Sequence, residues 1–279
     1  MRSAALADFL LPDGFAAPGA AAVLRESSAV VEIGRFALRA AGDRRTRRGS
    51  SDVARTGVAR SGDPVLLVPG FLAGDGTLGL MARALRARGL RTYRSHIHAN
   101  IGCTRTAAEQ LEARLESIAT RRDSRVQVVG HSLGGMLARG IAARRPDLVS
   151  HLVTMGSPML APGAHHRSLG ASVDLLVRLS RAGVPGLMAE DCVAGSCARE
   201  SFEECRRPMP PGIGFTAVYS RRDGIVDWRA CIDPLATAVE VSASHLGMAF
   251  DPRVIDVVAD SLRRTPSASA VEVDRGKSA

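Results

Sequence analysis

Lysine is almost missing from this 279-residue chain. Lys277 is the only one, so the formal net charge of +9 is carried by arginine. Aromatic residues make up only 4% and are not interleaved with the arginines, which argues against a stacking platform for single-stranded nucleic acid. No nucleic-acid partner is expected. No apolar run reaches the roughly 20 residues that a membrane-crossing helix needs. From Met1 to Leu11 there is one arginine and a short apolar patch broken by Asp8, a poor secretory signal. The expectation is therefore cytoplasmic, with export or membrane association as the alternative. Cys-x-x-Cys spacing is absent, so zinc is not expected, although Cys192 and Cys197 have histidines nearby and His96 and His98 would share one face of a strand. There is no internal repeat.

Hydrophobic residues account for 46% of the chain, enough at this length for one substantial core and one main domain. Five cysteines are present, Cys103, Cys192, Cys197, Cys205 and Cys231, and the odd number leaves at least one thiol unpaired. Four of them fall between 192 and 231, where a disulfide would pin a loop in an oxidising compartment. Their pairing is open. Arg44, Arg45, Arg47 and Arg48 form a basic cluster that reads either as a solvated linker or as a weak contact for an anionic membrane surface.

Residues 1–62 read as an N-terminal extension, alanine-rich at first and broken by Pro12, Gly14, Pro18 and Gly19. Ser27 to Ala41 fits a helix with Val30, Ile33, Ala37 and Leu38 on one side, and Ala29 to Ile33 fits a strand equally well. From Pro64 a regular alternation begins. Strand patterns at Val65–Val68, Arg91–His98, Val126–Val129 and His151–Met155 alternate with helical ones at Leu78–Arg88, Thr106–Arg121 and Leu133–Arg145. Short apolar strands separated by helices imply a parallel sheet buried on both faces. The rhythm breaks at about 157–212, with one helical pattern at Val173–Leu179, and a long insert here should lie over the functional face as a lid or cap. Strand patterns return at Phe215–Tyr219 and Thr237–Val241, a helix follows near Pro252–Arg264, and residues 265–279 read as a disordered polar tail.

Chemistry concentrates at Gly130-His131-Ser132-Leu133-Gly134, between a strand and a helix. The glycines permit a sharp turn that projects the Ser132 hydroxyl, and the N-terminus of the following helix offers free N–H groups to a developing oxyanion. Serine at its ordinary pKa needs a base, and the base needs an acid to hold its tautomer. Asp223 and His245 meet that need, each just beyond a predicted strand, the edge where parallel sheets carry their chemistry. Asp227 competes with Asp223. His131, His151 and the pair His165-His166 are the rivals of His245.

The order Ser132, Asp223, His245 and the motifs Val68-Pro69-Gly70-Phe71, Gly130-His131-Ser132-Leu133-Gly134-Gly135, Arg222-Asp223-Gly224-Ile225-Val226 and Ser244-His245-Leu246-Gly247-Met248 resemble the lipase and esterase branch of the α/β-hydrolase superfamily. The resemblance covers residues 63–264. It implies a mostly parallel sheet of about six strands flanked by helices, with a cap insert. It also implies cleavage of small-molecule or lipid esters through an acyl-enzyme, without a cofactor. The family's oxyanion donors map onto the backbone N–H groups of Phe71 and Leu133. The chain departs from the pattern at Pro69, where many relatives have histidine, which keeps the donors but leaves the loop's orientation open. A thioesterase, acyltransferase or peptidase would use the same residues, and a non-catalytic binding scaffold is the remaining alternative.

Overall fold

The computed structural model describes residues 8–49 and 63–263, without the side chains of 44–49. Six strands form one sheet: β1 (Val65–Val68), β2 (Thr92–Arg94), β3 (Val126–His131), β4 (Val149–Met155), β5 (Gly214–Tyr219) and β6 (Thr237–Glu240). Their spatial order is β2-β1-β3-β4-β5-β6, and every pairing is parallel. Around the sheet stand α1 (Ala20–Val23), α2 (Ala29–Gly49), α3 (Gly79–Ala87), α4 (Thr104–Arg122), α5 (Leu133–Arg144), α6 (Arg167–Arg181), α7 (Asp191–Ala194), α8 (Ser196–Glu204) and α9 (Pro252–Arg263). None of the described helices is long and apolar enough to cross a membrane.

The apolar strand runs follow from burial on both faces. Successive strand residues point to opposite sides, so Leu67, Val129 and Val153 pack with Met81, Leu85 and Val258 of α3 and α9. Leu66, Val128 and Leu152 pack with Leu115, Ile118 and Ile141 of α4 and α5. The chain runs outward from β1 to β2, then crosses back to β3 and continues the other way. The loops after β1 and β3 therefore diverge and leave a crevice at the carboxyl ends of the strands, the usual place for a ligand in an open parallel sheet. Phe71 and Ser132 come from those two loops.

Three sequence expectations change. The ambiguous N-terminal stretch is the helix α2, yet its inner face is not the one its apolar spacing marked. Val30 and Leu38 are exposed, whereas Phe36 packs on the core and Glu32 is only 2% exposed. The second strand stops at Arg94 instead of His98, because the Asp75 carboxylate takes the N–H groups of Ser95 (3.0 Å) and His96 (2.9 Å) and His96 turns to φ 71°. His96 and His98 consequently share no strand face, and both are exposed. Between β4 and β5 the irregular stretch holds α6, α7 and α8, more helix than its glycines and prolines suggested. The side chains of Arg44, Arg45, Arg47 and Arg48, and the tail 265–279, lie outside the described residues.

Candidate active site

Ser132 sits at the bend between β3 and α5 with φ 52° and ψ −125°, a left-handed conformation that costs an L-residue of order 1–3 kcal/mol. The surrounding structure enforces it. The Ser132 N–H donates to Met155 O (2.9 Å) on β4, and α5 begins at once, so close to β1 that a Cβ on Gly134 would run into the carbonyl oxygens of Val68 and Pro69. Only glycine lets the helix start there. The bend leaves Ser132 7% exposed.

Asp223 and His245 occupy the loops that follow β5 and β6. Asp223 Oδ1 accepts from the N–H groups of Ile225 and Val226, both at 2.8 Å, which fixes the carboxylate and leaves Oδ2 for another donor. His245 Nδ1–H donates to that oxygen at 2.7 Å, with both side chains buried. Burial alone would lower the imidazole's pKa, but the Asp223 carboxylate, helped by Glu26, outweighs it and raises His245 above its ordinary value. Asp227 is engaged elsewhere, gripping Arg229 (2.8 Å) and the Ala16 N–H (3.1 Å).

The rival histidines separate as clearly. The His131 ring packs against that of His245, centroids 4.8 Å apart, and its Nε2–H donates to the His245 carbonyl (3.0 Å). Burial and the neighbouring His245 push its pKa down to about 3, so it is neutral. His151 lies within β4, lowered by burial to about 4, and His166 caps α6 by accepting from the Ser168 N–H (3.2 Å). His165 is the one that reaches the cavity beside Ser132. His131, next to Ser132 in sequence, touches His245, and among the described residues the Ser132 and His245 side chains share no hydrogen bond.

The loop after β1 is fixed despite Pro69. Asn100 Nδ2 donates to Pro69 O (3.0 Å), while the Leu72 N–H is taken by Asn100 O (3.1 Å). Among the described residues, the N–H groups of Phe71 and Leu133 have no protein acceptor. Both residues and Ser132 line one cavity of about 130 Å³, whose other walls include Met136, Leu169, Val173 and Met188. It adjoins a larger hollow of about 420 Å³ between α4, α5 and α8, the two sharing Leu10, Thr104, Leu133, Met136, Pro162 and Cys192.

Sequence reasoning missed Glu26 and Glu32. Glu26 is buried between the two loops and accepts from the N–H groups of Gly224 (2.9 Å), His245 (3.0 Å) and Leu246 (3.0 Å). Glu32 accepts from Ser244 N–H (2.9 Å) and Ser244 Oγ–H (2.6 Å). Its carboxylate lies where a Cβ on Gly247 would stand. The acid and histidine loops are thus held from beneath by the N-terminal segment. One signal was available: these are the only two carboxylates between Asp13 and Asp43.

The sequence model of the alpha/beta hydrolase fold matches residues 63–190. A triacylglycerol lipase of Vibrio cholerae is 30% identical over 132 residues, which is 45% of this chain and 39% of the relative. The chain thus spans about two-fifths of that relative's length. The mature form of a Bacillus licheniformis lipase superposes with a TM-score of 0.59 at 14% identity, covering 76% of this chain and 96% of that one. A monoacylglycerol lipase of Paleococcus ferrophilus gives a TM-score of 0.51 at 17% identity, covering 72% and 96%. With its all-parallel sheet and its strained serine turn, the chain has the alpha/beta hydrolase fold, and over part of its length it is similar to lipases.

Proposed function

We propose that the protein hydrolyses carboxylic esters through an acyl-enzyme on Ser132. The observation that carries this reading is the buried 2.7 Å bond from His245 Nδ1–H to Asp223. It fixes the tautomer in which Nε2 is the basic nitrogen. Turning the free Ser132 hydroxyl toward Nε2 as substrate enters completes the pair, and such bonds commonly tighten only in the complex. Ser132 Oγ then attacks the ester carbonyl carbon while its proton passes to Nε2. The carbonyl oxygen becomes an oxyanion held by the Phe71 and Leu133 N–H groups. Collapse breaks the bond to the alcohol oxygen, which leaves with the proton from Nε2. Water repeats the sequence on the acyl-enzyme and releases the acid. No cofactor enters these steps.

The apolar cavity beside Ser132 suits the acyl chain, and its continuation between α4, α5 and α8 gives a longer chain room. The names of the Vibrio cholerae and Paleococcus ferrophilus proteins support a lipid ester as the substrate class. A fluorophosphonate tests the nucleophile, because attack by Ser132 Oγ forms an O–P bond and expels fluoride. One adduct by intact mass on the wild type and none on Ser132→Ala is the expected result. An unlabelled wild type, folded and with detergent present, would overturn the proposal.

A further inference from the structure

Three of the five thiols, far apart in sequence, converge at the seam between α4 and the helices inserted between β4 and β5. Cys103 precedes the first residue of α4, Cys192 lies in α7 and Cys197 in α8. All three Sγ atoms lie within 4.8 Å of one another, and Cys103 and Cys197 are 3.6 Å apart. A tetrahedral zinc site with Zn–S bonds of about 2.3 Å sets its sulfurs roughly 3.8 Å apart. The triangle therefore needs only a small contraction to fit. From this geometry we propose that Cys103, Cys192 and Cys197 form a three-thiolate site for a borderline-soft divalent cation, zinc above all, with its fourth position open to solvent.

The scaffold around the triangle is built. Asp191 accepts from the N–H groups of Ser196 (2.8 Å) and Cys197 (3.3 Å), closing the α7–α8 turn so that its two cysteines meet Cys103. Three thiolates and one divalent cation carry a net charge of −1, and beside them stands Arg105, itself paired with Glu200 (3.4 Å). The other two cysteines contrast with these. Cys205 and Cys231 are buried and donate to the carbonyls of Met136 (3.1 Å) and Asp227 (3.8 Å). They are packing thiols, whereas Cys103 and Cys192 are only half-buried. Sequence spacing hid the site, because Cys103 stands 94 residues before Cys197 and no paired-cysteine motif marks either end.

Binding releases thiol protons to solvent as Zn–S bonds form, so uptake of zinc is accompanied by acidification. The whole chain, kept reduced with a phosphine, is given zinc chloride and desalted, and metal per chain is measured. Cobalt chloride in a parallel sample reports thiolate-to-metal charge transfer. The expected result is about one zinc per chain, with Cys103→Ser, Cys192→Ser and Cys197→Ser each weakening affinity roughly 100-fold or more and Cys205→Ser leaving it unchanged. On the wild type alone, zinc should shield Cys103 and Cys192 from alkylation. No retained zinc on reduced, folded wild type would overturn the site, as would equal retention by the triple serine variant. A mass lower by two hydrogens that persists under reduction, with Cys103 in a disulfide, would also overturn it.

Discussion

Asp223 and Asp227 are four positions apart, and their hydrogen bonds decide between them: one carboxylate reaches an imidazole, the other an arginine. Asp223→Asn should lower kcat by about 10³–10⁴, in line with the handling of a misoriented histidine in serine hydrolases, while Asp227→Asn keeps catalysis within about tenfold. Initial-rate kinetics on a soluble ester would separate them. Histidine must be neutral to accept the serine proton, so activity falls as pH drops through its pKa. Since that pKa is raised, the acid limb of kcat/KM should lie above the ordinary value of about 6.5. Glu26→Gln removes one of the charges that raise it, and the limb should move to lower pH. A limb that stays in place would mean that Glu26 acts on the loops alone. The same raised pKa favours the folded state most at pH values below about 6.5. That contribution disappears as pH rises through the folded value.

Strands and crossover helices were legible in the sequence because their physics is local: a run such as Val65–Val68 must be buried on both faces, and Leu111, Leu115 and Ile118 mark one face of α4. Bend chemistry and chain order also proposed Ser132, Asp223 and His245 as a set, of which the structure joins Asp223 and His245 by a hydrogen bond. What was not legible depends on partners distant in sequence. Strand β2 ends early because Asp75, about twenty residues upstream, captures its next amides. Helix α2 turns Glu32 inward because loops more than 200 residues away offer donors, a reward invisible to hydrophobic spacing. Removing that acceptor leaves the buried Ser244 N–H and hydroxyl unpaired. Glu32→Ala should therefore cost roughly 2–3 kcal/mol, read as a lower urea midpoint at an unchanged slope. An unchanged midpoint would show that these bonds reform with water.

Taken whole, the molecule sets a parallel sheet between two packed helical layers and lines the cavity beside Ser132 with residues of α6 and α7. Met136 borders both hollows there, so Met136→Trp should fill the passage between them. Long-chain esters should lose about tenfold more kcat/KM than short ones; equal loss across a chain-length series would place the acyl group elsewhere. The docking of α2 carries a consequence for the chain's connectivity. Glu32 in α2 and Glu26 just before it bind the acid and histidine loops non-covalently. A protease nick between α2 and β1 should therefore yield a working two-piece enzyme that co-elutes on gel filtration. The piece beginning at Asp63, separated from its partner, should be inactive and regain turnover when residues 8–49 are added back, which would make the protein a ready-made split reporter.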